Sequence, residues 1–292
     1  MLLFIRILSR LPLPLLYFVA DALVYPLMYH VVRYRRAVVA KNLRMSFPEK
    51  SAKQRRDLER QFYRRFASTI MEIVYGYRIS DEEMRERFVF ENVEIVEELA
   101  HRNKGVFFML GHLGNWEWIA DIGKRYTDGS TIKEYNVYRQ LKSSSADKAM
   151  LALRNKRGGG GCIEKKQLLR QLVAMRHADN PITIGLISDQ KPSPRNAHVW
   201  TTFQNQDTAF LDGGEVLARK FGYAVTYVHV ESPKRGYYRA RFEVITDNPA
   251  ATNPTEITLA YARLLEQNIL ESPELWLWTH NRWKWRRNDI EG

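Results

Sequence analysis

Apolar and polar positions along this chain change period several times, and each change marks an element. Phe62, Phe66, Ile70 and Ile73 recur at helical spacing downstream of Ser51 and Gln54, which are spaced as a capping box. This predicts a helix that starts at Ser51 and turns an apolar stripe to a core. Compact apolar runs then predict strands over residues 106–110, 132–138, 182–188 and 224–230. Residues 237–245 alternate Arg239, Arg241 and Glu243 with Ala240, Phe242 and Val244, the pattern of a half-exposed strand. Helical patterns occupy residues 145–154, 166–175, 214–221 and 256–269. The alternation predicts an α/β fold, a mixed β-sheet flanked by helices. There is no repeat and no long linker, and the glycines from Gly158 to Gly161 are the only break in composition.

The N-terminus departs from this rhythm. Residues 11–29 are nearly all apolar and run into Arg33, Arg35 and Arg36. The run is about long enough to cross a bilayer, but Asp21, Pro12, Pro14 and Pro26 make it a poor spanning helix. It lacks a small-residue cleavage site, which argues against a signal peptide. A core helix would account for it, and so would an interfacial anchor. Arg6, Arg10, Arg33, Arg35, Arg36 and Lys41 cluster around it with few acids, which favours an anchor on anionic lipid at a cytoplasmic membrane face. The expected organisation is a membrane-associating segment over residues 1–40 and a single domain over 41–292.

Bulk composition changes the picture in one respect. With 45% hydrophobic and 27% charged residues in 292, the chain is ordinary globular material. Its 45 Lys+Arg against 33 Asp+Glu leave a net charge of +12, which calls for an anionic partner. The single cysteine, Cys162, excludes an internal disulfide, and no activating motif surrounds it.

Candidate chemistry concentrates after the strand at 106–110. Gly111 leads into His112, Gly114 follows, and Glu117 stands five residues beyond the histidine. A strand that ends in a glycine turn presents the next side chain at the carboxyl edge of a sheet. Imidazole is the general base best suited to neutral pH, and a carboxylate that fixes its tautomer improves it. Glu117 is the nearest acid for that role, although a capping histidine and a solvated glutamate would give the same spacing. Arg154, Lys156 and Arg157 precede the glycines, either as helix-end cations or as a cluster for phosphate or for a developing oxyanion. Their spacing is not that of a Walker loop. Asp189 and Gln190 end the strand at 182–188, as site residues or as a turn cap. Near the C-terminus, Trp276, Trp278, Trp283 and Trp285 interleave with Arg282, Lys284, Arg286 and Arg287. Such a run can stack nucleic-acid bases, sit at a membrane interface or pack indoles under arginines.

In order along the chain, these residues resemble the lipid A biosynthesis acyltransferases, the late acyltransferases of Gram-negative bacteria. The resemblance rests on Asn42-Leu43 with Phe47-Pro48, His112-x4-Glu117, Val137-Tyr138-Arg139, Arg154, Asp189-Gln190, Phe203, Gly213-x3-Leu217-Ala218, and Pro273-Glu274 through Trp278, His280, Arg282 and Lys284. It implies a glycerolipid-acyltransferase-like sandwich with His112 as general base, Glu117 as its orienting acid, and Arg154, Asp189, Arg139 and Gln190 as substrate-binding residues. It implies acyl transfer from an acyl-carrier-protein thioester to a hydroxyl of a phosphorylated glycolipid at the cytoplasmic face of the inner membrane, with no cofactor or metal. Two departures stand out. Residues 206–212 lack the threonine run of better-known members, and the segment between His112 and Arg139 is longer than usual. Another glycolipid or an aminolipid remains open as acceptor. A basic nucleic-acid-binding module would also explain the charge, but the apolar N-terminus and the absence of nucleic-acid motifs count against it.

Overall fold

The computed structural model describes residues 2–127, 131–141, 143–157 and 160–291. Among these residues nine strands form two sheets. β1 (Phe88–Glu91), β2 (Gly105–Leu110), β3 (Lys133–Tyr138), β4 (Gly161–Glu164), β5 (Ile182–Ile187), β8 (Ala224–Lys234) and β9 (Tyr237–Thr246) build a seven-stranded sheet in the order β1-β9-β8-β2-β5-β3-β4. β6 (Val199–Phe203) and β7 (Gln206–Phe210) pair as a separate antiparallel hairpin. β8, β2, β5, β3 and β4 are mutually parallel, while β9 runs against β8 and carries β1 with it. The sheet is therefore mixed, as the alternation predicts.

β2 is buried along its whole length and β5 nearly so, because helices cover both faces of the parallel core. Their register sets Leu110 beside Ile187. Both strands thus end at the same level, and the two segments that follow them emerge side by side. After β2 the chain fills the β3–β4 side, returns to β5, and reaches β8 on the opposite flank of β2. Such reversals leave a crevice outside the carboxyl ends of the central strands.

Helix Ala52–Tyr75 begins with the capping box expected from the sequence: Ser51 Oγ accepts from the Gln54 N–H, and the Gln54 side chain accepts from the Ser51 N–H. Its stripe packs against the N-terminal helix, whose Leu13, Leu16, Ala20, Tyr25 and Tyr29 belong to the same apolar core. That segment starts as α-helix Leu13–Val19 and continues as π-turns Ala20–Val24 and Leu27–Val31. Pro26 has no N–H to give the ladder, and i→i−5 bonds flank it on both sides. The 19 residues Leu13–Val31 are long and apolar enough to cross a membrane, with mean hydropathy 1.2. The next helix, Arg36–Ser46, runs through position 40 without a break.

Candidate active site

The turn after β2 is held from three sides. The Gly114 N–H donates to the Leu275 carbonyl at 3.0 Å, and the Leu277 N–H donates to the His112 carbonyl at 3.1 Å. Leu113 and Trp276 bridge between these bonds. Gly114 has φ +56°, and a Cβ there would stand 2.6 Å from the Tyr238 ring, so both backbone and space demand glycine. The Asn115 amide donates to Glu72 at 3.3 Å. Glu72 is fully buried and also accepts from Tyr238 at 2.7 Å and Tyr17 at 3.0 Å. Burial pushes its pKa up, against the pull of these three donors.

His112 and Asp189 each lie two residues beyond a paired strand end, and the register brings them together. His112 Nδ1 is 2.6 Å from Asp189 Oδ1, and the His112 backbone N–H donates to Asp189 Oδ2 at 2.9 Å. Trp276 Nε1 donates to the same Oδ2, also at 2.9 Å. Burial by itself raises the pKa of Asp189, but the imidazole and these hydrogen bonds outweigh it and bring the carboxyl down to about 2. A carboxylate so held accepts a hydrogen bond from Nδ1–H, which keeps the ring proton there and leaves Nε2 as the basic nitrogen. Gln190 Nε2 lies 3.4 Å from that nitrogen, and Trp116 meets the imidazole edge to face with centroids 5.1 Å apart.

The carboxylate that the structure brings to His112 is that of Asp189, where the sequence reading set Glu117. Glu117 lies in a 3₁₀ segment, Trp116–Lys124, and its carboxylate is forked by Arg154, with Nε to Oε2 at 2.7 Å and Nη2 to Oε1 at 2.6 Å. Trp116 Nε1 adds a bond to Glu117 Oε1 at 3.1 Å. Arg154 projects from helix Ser144–Arg157 and is bound as a bidentate partner, so its charge is already matched. Gly158 and Gly159, part of the loop expected beside it, lie outside the described residues, as does the side chain of Arg157.

Arg139 follows β3 and is exposed at the same sheet edge. It joins Lys191, Arg282 and Lys284 in a cationic cluster. Burial first, then these three neighbours, lowers the pKa of Lys191. The ammonium groups of Lys191 and Lys284 face one indole, that of Trp285, at 5.7 and 4.4 Å from its centroid. Cys162, on β4, is half-buried, and burial raises its thiol to about 11, which suits an inert side chain. Among the described residues no group of three or more His, Cys, Asp and Glu side chains could hold a metal ion.

Trp276 and Trp278 are almost fully buried, so the C-terminal aromatics form the floor of the site instead of an exposed stacking platform. His280 accepts from the Lys191 N–H at 3.2 Å. Burial lowers its pKa to about 4; Arg282, His112 and Lys191 add to this, against Asp189. With an unfolded value near 6.5, His280 favours folding fully above that pH, and this contribution fades as pH falls toward 4. Replacement by Gln should flatten the thermal stability profile between about pH 6.5 and 4, where one such group adds at most about 1.4 kcal/mol per pH unit. Melting curves of wild type and His280→Gln at matched pH check this; parallel profiles would refute it.

A His–Asp pair at the carboxyl edge of a sheet can serve as a general base. The matched family model is that of the bacterial lipid A biosynthesis acyltransferases, and it covers residues 1–285. The chain belongs to that family, and so to the acyltransferases of lipopolysaccharide synthesis. It is 23% identical over 289 residues to the lipid A biosynthesis palmitoleoyltransferase of Escherichia coli, spanning 95% of this chain and 87% of the relative. It is 22% identical over 286 residues to the lauroyltransferase of the same organism, spanning 96% and 89%. Lipid A biosynthesis acyltransferase 2 of Shigella flexneri matches at 29% over 130 residues, 43% of this chain and 38% of the relative.

Proposed function

We propose that this protein transfers a fatty acyl chain from an acyl-carrier-protein thioester to a hydroxyl of a lipid A precursor at the cytoplasmic face of the inner membrane. The observation that carries this reading is the His112–Asp189 pair at the sheet edge, with Nε2 directed away from the carboxylate. His112 Nε2 takes the hydroxyl proton while the oxygen attacks the thioester carbonyl carbon. A C–O bond forms, the tetrahedral oxyanion collapses, the C–S bond breaks, and the imidazolium returns its proton to the departing thiolate. Asp189 stabilises the transient imidazolium. The Arg139, Lys191 and Lys284 cluster supplies positive potential beside the oxyanion and a complement to an acidic carrier protein. Glu117 and Arg154 act on position: their fork holds the 3₁₀ segment that carries Trp116 against His112. Purified protein supplied with acyl-carrier-protein thioester and a phosphorylated tetra-acyl disaccharide should yield the O-acylated lipid. Turnover with free acyl-coenzyme A alone would contradict the donor.

Membrane association belongs to the same proposal, with residues 1–40 as the membrane-associating segment and 41–292 as the acyltransferase domain. Phe18, Leu23 and Val31 are 67%, 60% and 72% exposed on the N-terminal helix, although its opposite face is core. An apolar face left outside beside Arg33 and Arg35 suits a helix lying in the headgroup layer. Replacing Phe18 and Leu23 with Ser should release the protein from vesicles containing anionic lipid and leave its melting temperature nearly unchanged. Unchanged sedimentation with vesicles would place the anchor elsewhere.

A further inference from the structure

Glu72 stands in the last turn of helix Ala52–Tyr75, fully buried, and the reaction outlined above makes no use of it. Its hydrogen bonds come from three separate elements. Oε1 accepts from Tyr17 of the N-terminal helix at 3.0 Å. Oε2 accepts from Tyr238 of β9 at 2.7 Å, and at 3.3 Å from the amide of Asn115, in the turn that carries His112. All three donors are neutral. An apolar side chain of similar size would fill this place at a lower desolvation cost. What a fully bonded carboxylate adds is direction, because it fixes three elements relative to one another.

On the site side, Asn115 is itself fully buried, and the next residue, Trp116, meets His112 edge to face. Tyr238 also sets its ring against Gly114, at the contact that excludes a Cβ there. Glu72 therefore bears on the His112 turn at both Gly114 and Asn115, in addition to the bonds from Leu275 and Leu277. On the other side, the turn between β8 and β9 clasps Tyr17. The Arg235 guanidinium lies 4.2 Å from the Tyr17 ring centroid and forks Asp21, four residues further along, at 2.7 and 2.9 Å. Gly236 has φ +75°, and a Cβ on it would collide with the Tyr17 hydroxyl. Tyr17 thus reaches Glu72 when the N-terminal helix is seated under this turn. Phe18, the next residue, is the one whose exposed ring faces the bilayer in the proposed reading.

We propose that Glu72 is a positioning residue that ties the geometry of the His112 turn to the seating of the N-terminal helix, through Tyr17 on one side and Asn115 on the other. The helix is then part of the frame of the site as well as an anchor. The test uses the full chain in detergent micelles, where attachment to a bilayer does not enter. Steady-state kinetics are paired with amide hydrogen exchange over residues 110–118, read by mass spectrometry. Glu72→Met should lower kcat by about 10- to 100-fold at unchanged KM, as expected when a reacting group is displaced by about 1 Å. Glu72→Gln should recover most of the rate, because its carbonyl oxygen can take the place of Oε2 while its NH₂ donates to the Tyr17 hydroxyl. Tyr17→Phe, the mildest change, should speed exchange in the His112 turn and lower kcat, and should add nothing in the Glu72→Met background.

Four results would overturn the proposal: unchanged exchange over 110–118 in Tyr17→Phe and Glu72→Met, protection lost evenly along the whole chain, a wild-type kcat in a protein whose turn has loosened, or Glu72→Gln as slow as Glu72→Met. The kinetic arm rests on His112 as the base, whereas the exchange arm needs no turnover. A wild-type protein that transfers no acyl chain, with exchange of the turn still dependent on Tyr17, would overturn the reaction and leave this linkage standing.

Discussion

His112→Ala should lower acyl transfer by about 10²- to 10⁴-fold, the usual loss when a general base is removed, while the protein stays folded. The imidazole is only partly buried, and the turn that carries it is fixed by the backbone bonds to Leu275 and Leu277 and by Gly114, none of which needs the ring. Asp189→Asn is the sharper companion. Asp189 Oδ2 accepts from the His112 N–H and from Trp276, so an asparagine must keep its carbonyl oxygen there. Its NH₂ group then faces His112 Nδ1 and donates to it, which moves the ring proton to Nε2. The base is lost with the fold intact, and the loss should approach that of His112→Ala. Steady-state rates with circular dichroism alongside decide this. Asp189→Asn at near-normal rate would return the orienting role to another group.

Arg154→Ala should cost stability as well as rate. Its fork is matched to the carboxylate of Glu117, which is 7% exposed, and removal strands that charge in a poorly solvated position. Breaking a buried ion pair from one side typically costs about 3–5 kcal/mol. The 20% exposure of the arginine side chain puts the expected value at or below the low end of that range. Arg154→Lys should recover only part of it, because a point charge cannot make both contacts. Glu117→Gln with Arg154→Met removes both charges, and should be more stable than Arg154→Ala. Denaturant midpoints of the four proteins test the account. A fully stable Arg154→Ala with wild-type rate would remove the pair from the site's support.

Much of this architecture was legible from periodicity, since β2, β5 and the first seven residues of β8 are largely apolar runs and β9 alternates cleanly. β1 was not, because four residues at a sheet edge give too little pattern. The β6–β7 hairpin was missed for a different reason. Its turn residues Gln204 and Asn205 take φ of 51° and 59°, a conformation usually signalled by Asn-Gly. In the site, His112 was visible from its own neighbourhood, and Asp189 from the end of its strand. Their partnership was not, because it depends on β2 pairing with β5 across 77 residues of chain. A rule based on proximity in sequence chose Glu117 instead, and the 3₁₀ segment turns that carboxylate to Arg154. The C-terminal tryptophans illustrate the same limit: their interleaving with cations left three readings open, and burial of Trp276 and Trp278 is set by tertiary packing.

Mass spectrometry of lipid A tests the central claim most directly. The comparison is between a strain lacking this gene, the same strain complemented with the wild-type gene, and one complemented with His112→Ala. The deletion should yield lipid A short of one acyl chain, wild type should restore the missing mass, and His112→Ala should not. An unchanged number of acyl chains in the deletion strain, or full restoration by His112→Ala, would contradict the account.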